Sequence, residues 1–257
     1  MTSIQRLGLS CLLAGLFGAV AAAAGAQTLD FLSKETPIGP LVIGAPYSAD
    51  GITTLKLKLF DGTRIERKVT ARFYRDSAGR IRREQTIMGL GSLNPSDESP
   101  MVVTIVDPVA GVIYTLNPGS RTAHRIAIDK RALVEPPPPP PPPPAPAGGV
   151  TDPGAPPPPP PAPTEEALGT RQIDGLTATG RRTTRTIPAG RIGNDRPIVI
   201  TDERWESPDL KVLLFSRHHD PRTGDVEYRL TNITRAEPAA GLFAVPPEYT
   251  IADAPPQ

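Results

Sequence analysis

Ser216, His218 and Asp220 stand at alternate positions near the end of the chain and are the residue types of a hydrolytic triad. On a strand such residues share a face, but their Cα atoms lie about 7 Å apart. A triad needs successive contacts of about 2.6 to 3.2 Å. Asp220 also precedes Pro221 and begins a turn. The spacing predicts a polar strand face and assigns no catalytic residue.

His218 and His219 are adjacent, so on a strand they point to opposite faces and cannot share a metal. His124 is the only other histidine and stands at no ligand spacing from them, so no metal and no cofactor are expected. Asp202, Glu203 and Glu206 flank Trp205, yet carboxylate pairs that cleave glycosides come from separated elements. These acids are read as mixed charge on a strand. Arg72, Arg75, Arg80, Arg82 and Arg83 cluster beside Phe73 and Tyr74. They are read as a solvated hairpin, because a chain with formal net charge +1 carries no field that would gather nucleic acid. Trp205, Tyr228, Phe215 and Tyr114 have two readings, the lining of an apolar cavity and ordinary core, and core is favoured.

Those residues must be positioned by strands. From Gly51 to Arg131 the pattern has period two: Leu55, Leu57 and Leu59 alternate with lysines, and Val69, Ala71 and Phe73 alternate with Lys68, Thr70 and Arg72. Asp61-Gly62 between them predicts a type I′ hairpin. Asp76 to Gly79 and Asp107 to Gly111 separate further strands, and Asn117-Pro118-Gly119-Ser120 reads as a type II turn. Strands are expected near 80–88, 101–106, 111–116 and 121–128. Later ones are expected near 170–178, 180–187, 196–206, 210–218 and 225–235. Leu242, Phe243 and Val245 read as a closing segment over an apolar face.

Between the two sets of strands lies a segment that cannot join a sheet. Pro136 to Pro144 run unbroken, Gly148-Gly149 follows, and Pro156 to Pro161 run again. Proline has no N–H and a fixed φ, so each run predicts an extended polyproline II rod. The chain begins with Arg6, an uncharged stretch from Leu7, and Ala24-Gly25-Ala26 before Gln27. That order predicts an export signal cleaved between Ala26 and Gln27, and no transmembrane segment after cleavage. Cys11, the only cysteine, would leave with it, and the remaining charges would balance.

The expected division is a signal peptide over 1–26, the first part of a β domain over 27–131, a disordered proline-rich insertion or linker over 132–168, the second part over 169–250, and a disordered tail over 251–257. The expected fold is all-β, a curved antiparallel meander or incomplete β-barrel split by the insertion. Two small β domains on a tether are the alternative.

Four stretches carry a resemblance: GAPYSADGITT at 44–54, YRDSAGRIRREQT at 74–86, DPVAGVIYTLNPGSRTAHR at 107–125, and LGTRQIDGLTATGRRTTRTIPAGRIGNDRPI at 168–198. The tail from ITDERWESPDL onward is a fifth. Together they resemble a family of uncharacterised exported proteins of Gram-negative soil bacteria. More distantly, the turn order and the closing Leu242, Phe243, Val245, Pro246, Tyr249 pattern are similar to periplasmic lipoprotein carriers and outer-membrane lipoprotein-sorting proteins. That likeness implies an incomplete barrel around an apolar cavity and the binding of a lipid or lipoprotein, and it transfers no ligand-binding residue. The expectation is a periplasmic or secreted non-enzymatic protein that binds a hydrophobic ligand on a concave sheet. The alternative is a structural or interaction module with a protein partner in the cell envelope.

Overall fold

The computed structural model describes residues 41–59, 61–86, 101–128 and 161–253. The expected signal segment, its Ala26/Gln27 junction and the linker up to residue 160 lie outside them. All described residues belong to one compact unit.

Twelve strands form a single open sheet. In chain order they are β1 (Tyr47–Lys58), β2 (Arg64–Arg75), β3 (Ile81–Thr86), β4 (Met101–Asp107), β5 (Val112–Asn117), β6 (Thr122–Ala127), β7 (Thr164–Ile173), β8 (Leu176–Ile187), β9 (Ile198–Ser207), β10 (Val212–Asp220), β11 (Gly224–Thr234) and β12 (Thr250–Asp253). The spatial order is β12-β6-β5-β4-β3-β2-β1-β11-β10-β9-β8-β7. Two meanders therefore meet where β1 pairs with β11, so the halves on either side of the linker share one sheet. β6 lies beside one edge strand and β7 forms the opposite edge. Measured along the sheet, the strand spacings between them amount to roughly 48 Å. The chain passes from one end of the sheet to the other through the linker.

Five expectations are corrected. β7 begins at Thr164, inside the expected linker, because Thr164 to Ala167 pair with Arg181 to Thr184 of β8. Residues 251–253 of the expected disordered tail are strand, since β12 pairs with β6, and this pairing is parallel within an otherwise antiparallel sheet. The expected strand at 170–178 is broken at Asp174-Gly175, which take φ of 49° and 77° and turn β7 into β8. This is the primed-turn geometry expected at Asp61-Gly62, where Gly62 alone has positive φ and its N–H donates to the Leu59 carbonyl. Asn117 to Ser120 also differ. The Asn117 carboxamide accepts from the Gly119 and Ser120 N–H groups, and Arg121 takes the positive φ.

Residues paired across neighbouring strands share a face, so the register sorts side chains into two faces. On β1, Tyr47, Ala49, Gly51, Thr53, Leu55 and Leu57 lie on the first face, and Asp50, Ile52, Thr54 and Lys56 on the second. Contacts that skip strands show that the sheet is rolled. The Asp174 carboxylate, in the β7–β8 turn, accepts from the Ile233 N–H of β11 at 3.0 Å. Arg75 of β2 donates to the Leu210 carbonyl, between β9 and β10, at 2.5 Å. Three flat strand spacings would separate β8 from β11 by about 14 Å, beyond direct hydrogen bonding.

One core cluster joins Tyr47, Phe73, Tyr228 and Leu230 with Leu176, Trp205 and Phe215. The other lies on the second face of β4 to β6, where Val103, Ile105, Leu116 and Ala123 are covered by Val245 and Tyr249. The segment that crosses there includes a single 3-10 turn, Ala240–Phe243, which buries Phe243. Among the described residues no helix is long and apolar enough to cross a membrane.

Candidate functional site

The first face carries an apolar row that the register builds residue by residue. Ile81 pairs with Val106, Val106 with Ile113, and Ile113 with Ile126, so four branched side chains stand side by side across β3 to β6. Val106 is buried, whereas Ile126 at the end of the row is 41% exposed. A second apolar group on the same face contains Leu57 paired with Ile65, and Leu55 paired with Val226. Strands β4 to β6 thus each set one apolar side chain of this row on the first face, beside Thr104, Thr115 and His124, in addition to the apolar second face that period-two reasoning assigns them.

Buried cationic groups border this face. Arg75, 3% exposed, donates through Nε and Nη2 to the Ala45 carbonyl at 2.9 and 2.7 Å, and its guanidinium stands 4.8 Å from the Tyr47 ring centroid. Burial lowers the Arg75 pKa and raises that of Tyr47. Arg83 lies over the Phe73 ring at 5.5 Å. The remaining arginines of that sequence cluster are held singly, Arg72 by Asp50, Arg80 by Asp76 and Arg82 by Glu84 and the Leu242 carbonyl. The cluster is dispersed over both faces.

Ser216 and His218 share the first face, since they pair with Tyr228 and Val226. Within the expected trio, His218 and Asp220 are each drawn to other partners. His218 Nδ1 bonds Asp202 at 2.6 Å, across the β9–β10 pair. That bond is the main cause holding the His218 pKa above its ordinary value, against burial. Asp220 is engaged by the Nε, Nη2 and backbone N–H of Arg222. Burial pushes the Asp220 carboxyl up, and the Arg222 bonds outweigh it, leaving it below the usual carboxylate range. His219 points to the second face and pairs with Asp225. His124 is exposed on β6. Among the described residues no three His, Cys, Asp or Glu side chains gather as metal ligands.

The second face holds what sequence reasoning missed. Trp205 of β9 pairs with Gly180 of β8 and Phe215 of β10. Trp205 Nε1 donates to Glu203 at 2.7 Å, and Arg182 reaches the same carboxylate at 3.2 Å. Burial raises the Glu203 pKa, and these two bonds carry it below the usual range. Arg171 of the edge strand β7 extends across β8 and stacks on Trp205, 3.8 Å from its ring centroid. The sequence signal was present, because Gly180 and Ala178 are small residues at alternate positions facing a lone tryptophan. Without the register, nothing linked them to Arg171.

No protein-family model and no curated protein sequence matches the chain. Among solved structures it is similar to an uncharacterised conserved protein from Thermus thermophilus, with 10% identity, 90% of this chain and 99% of that chain covered, and a TM-score of 0.42. It is similar to a chain of the Pseudomonas aeruginosa MucA/MucB complex, with 12% identity, 88% and 63% covered, and a TM-score of 0.41. The Mycobacterium tuberculosis lipoprotein LppX is a further likeness, with 15% identity, 86% and 97% covered, and a TM-score of 0.31.

Proposed function

We propose that the protein is exported after cleavage between Ala26 and Gln27 and binds, without catalysing a reaction, an acyl chain or lipid-modified protein against the first face of its open sheet. The supporting observation is the row Ile81, Val106, Ile113 and Ile126. Apolar side chains on either face of a sheet need cover. The C-terminal segment supplies it on the second face through Val245 and Tyr249. On the first face the row runs out to the exposed Ile126. Acyl chains are recognised by such non-directional apolar surface, with affinity that grows with the area removed from water.

The titratable groups support a binding role rather than chemistry. His218, Asp220 and Glu203 are each engaged by a neighbouring side chain and do not converge on a common point.

The test is mass spectrometry of organic extracts of residues 27–257 purified from a bacterial envelope without detergent, beside a mock purification. Stoichiometric lipid is the expected result. Reproducible absence of enriched lipid overturns the reading in favour of an envelope protein partner, which crosslinking would then capture.

A further inference from the structure

The stacked arginine on the second face is a built feature with one unmet demand. Gly180 supplies the floor: a Cβ there would lie 2.7 Å from the Trp205 ring, so the indole rests on glycine backbone. Glu203 fixes the indole by its N–H. Arg171 lies on the other side of that ring and also stands 5.2 Å from the Phe215 centroid. Arg229 and Arg217 approach the same phenyl ring at 5.1 and 5.7 Å. Three guanidinium groups thus surround one aromatic side chain. Stacking leaves the edge N–H donors of a guanidinium free for an acceptor.

The carboxylates nearby are already committed. Glu227 is taken by Arg217 and Arg229, both at 2.8 Å, Glu203 by Trp205 and Arg182, and Asp174 by the Ile233 N–H. Among the described residues, Arg171 hydrogen-bonds to no carboxylate. It lines an open depression of about 490 Å³ with Asp174, Glu203, Phe215, Arg217 and Arg229, where Glu227 already pairs with Arg217 and Arg229 and Arg171 is held by ring stacking. That volume lies within the range of small-ligand sites.

The geometry points to an oxyanion site here, in which Arg171, held flat by Trp205, donates to a phosphate group, and Arg229 faces the same group from across Phe215. Inorganic phosphate and a phospholipid headgroup present the same oxygens, and bidentate guanidinium donation suits both. The site stands on the opposite face from the apolar row and does not depend on lipid binding there.

Trp205 is the only tryptophan, so its fluorescence reports on the stacked arginine directly. The experiment titrates the full chain with inorganic phosphate, and separately with dihexanoyl phosphatidylglycerol below its micelle concentration, at constant ionic strength. Dihexanoyl phosphatidylcholine is the control. Arg171→Met keeps an apolar cover on the indole while removing the charge and donors, and circular dichroism checks its fold. The expected result is a saturable change in Trp205 emission with phosphate, weakened about tenfold or more in Arg171→Met, as the loss of a charge-assisted bond requires, and partly restored by Arg171→Lys. A response to the phosphatidylglycerol alone, equally dependent on Arg171, supports the site and identifies the source as a headgroup. No response to either anion, or a response unchanged in Arg171→Met, overturns the proposal.

Discussion

The indole of Trp205 lies against the backbone of Gly180, so close that a Cβ on the glycine would meet three ring carbons at 2.7 Å. The two residues are paired across β8 and β9, and the glycine is there for space. Gly180→Ala must push the ring off both its Glu203 acceptor and its Arg171 cover. Overpacking of this kind costs about 1 to 3 kcal/mol. The urea midpoint should fall accordingly, with the emission of Trp205 shifted in the folded state. Gly241→Ala, where nothing lies within 4 Å of the added carbon, should leave the midpoint unchanged.

Arg75 ties distant parts of the rolled sheet together. It ends β2, yet its guanidinium reaches the carbonyls of Ala45 and Leu210 from a buried position. Arg75→Met would fill much of the space and leave these acceptors without their donor. An unsatisfied buried group costs about 1 to 3 kcal/mol, and breaking a buried cationic site costs more than an exposed pair. A stability loss of about 2 to 4 kcal/mol is expected in chemical denaturation. Arg75→Lys should recover only part of it, because an ammonium replaces neither the additional Nε bond to the Ala45 carbonyl nor the planar guanidinium over the Tyr47 ring.

The pairing of His218 with Asp202 gives stability a sign with pH. The folded state holds the imidazolium above the ordinary histidine pKa, chiefly through the Asp202 hydrogen bond, with the charge of Asp220 assisting and Arg185 opposing. A raised pKa means that the stabilisation is fully present below the unfolded value, near 6.5, and is lost as pH rises through the folded one. Unfolding free energy should therefore decline above about pH 6.5, and this part of the decline should vanish in Asp202→Asn. A profile with the same slope in the variant would refute the assignment. Asp220 titrates in the opposite sense, since its depressed pKa contributes stability that is lost on acidification, and that loss belongs to a lower pH window.

Strand positions were legible because alternation is local. Leu55, Leu57 and Val69 announce their strands without any neighbour, and the closing Val245 and Tyr249 announce an apolar surface to be covered. The turn at Asp174-Gly175 was legible in principle, carrying the same Asp-Gly pair as 61–62, but the flanking Ile173 and Leu176 read equally well as one continuous strand. What no single strand reveals is register. The stack of Arg171 on Trp205 joins β7 to β9 across Gly180 of the intervening β8, and the row from Ile81 to Ile126 spans four strands. Both depend on which residue stands opposite which. The start of β7 and the whole of β12 were missed for a related reason. Thr164 to Ala167 and Thr250 to Asp253 carry weak intrinsic patterns and become strands through their partners.

The two faces of β5 and β6 allow ligand binding to be separated from folding. Leu116 is 1% exposed on the second face, packed with Val103, Ile105 and Ala123, so Leu116→Ala should cost about 2 to 5 kcal/mol through lost contacts and a cavity. Ile126 lies on the first face, two-fifths exposed at the end of its row. Ile126→Ser removes apolar surface that the fold leaves in water, so its effect on stability should stay within about 0.5 to 1 kcal/mol. If acyl chains lie along this row, the same change should lower the lipid recovered in organic extracts, and Ile113→Ser together with it should lower it further. Extracts unchanged in the double variant, from protein with an intact unfolding transition, would remove the row from the binding surface. Lipid loss confined to Leu116→Ala would instead tie retention to the stability of the sheet.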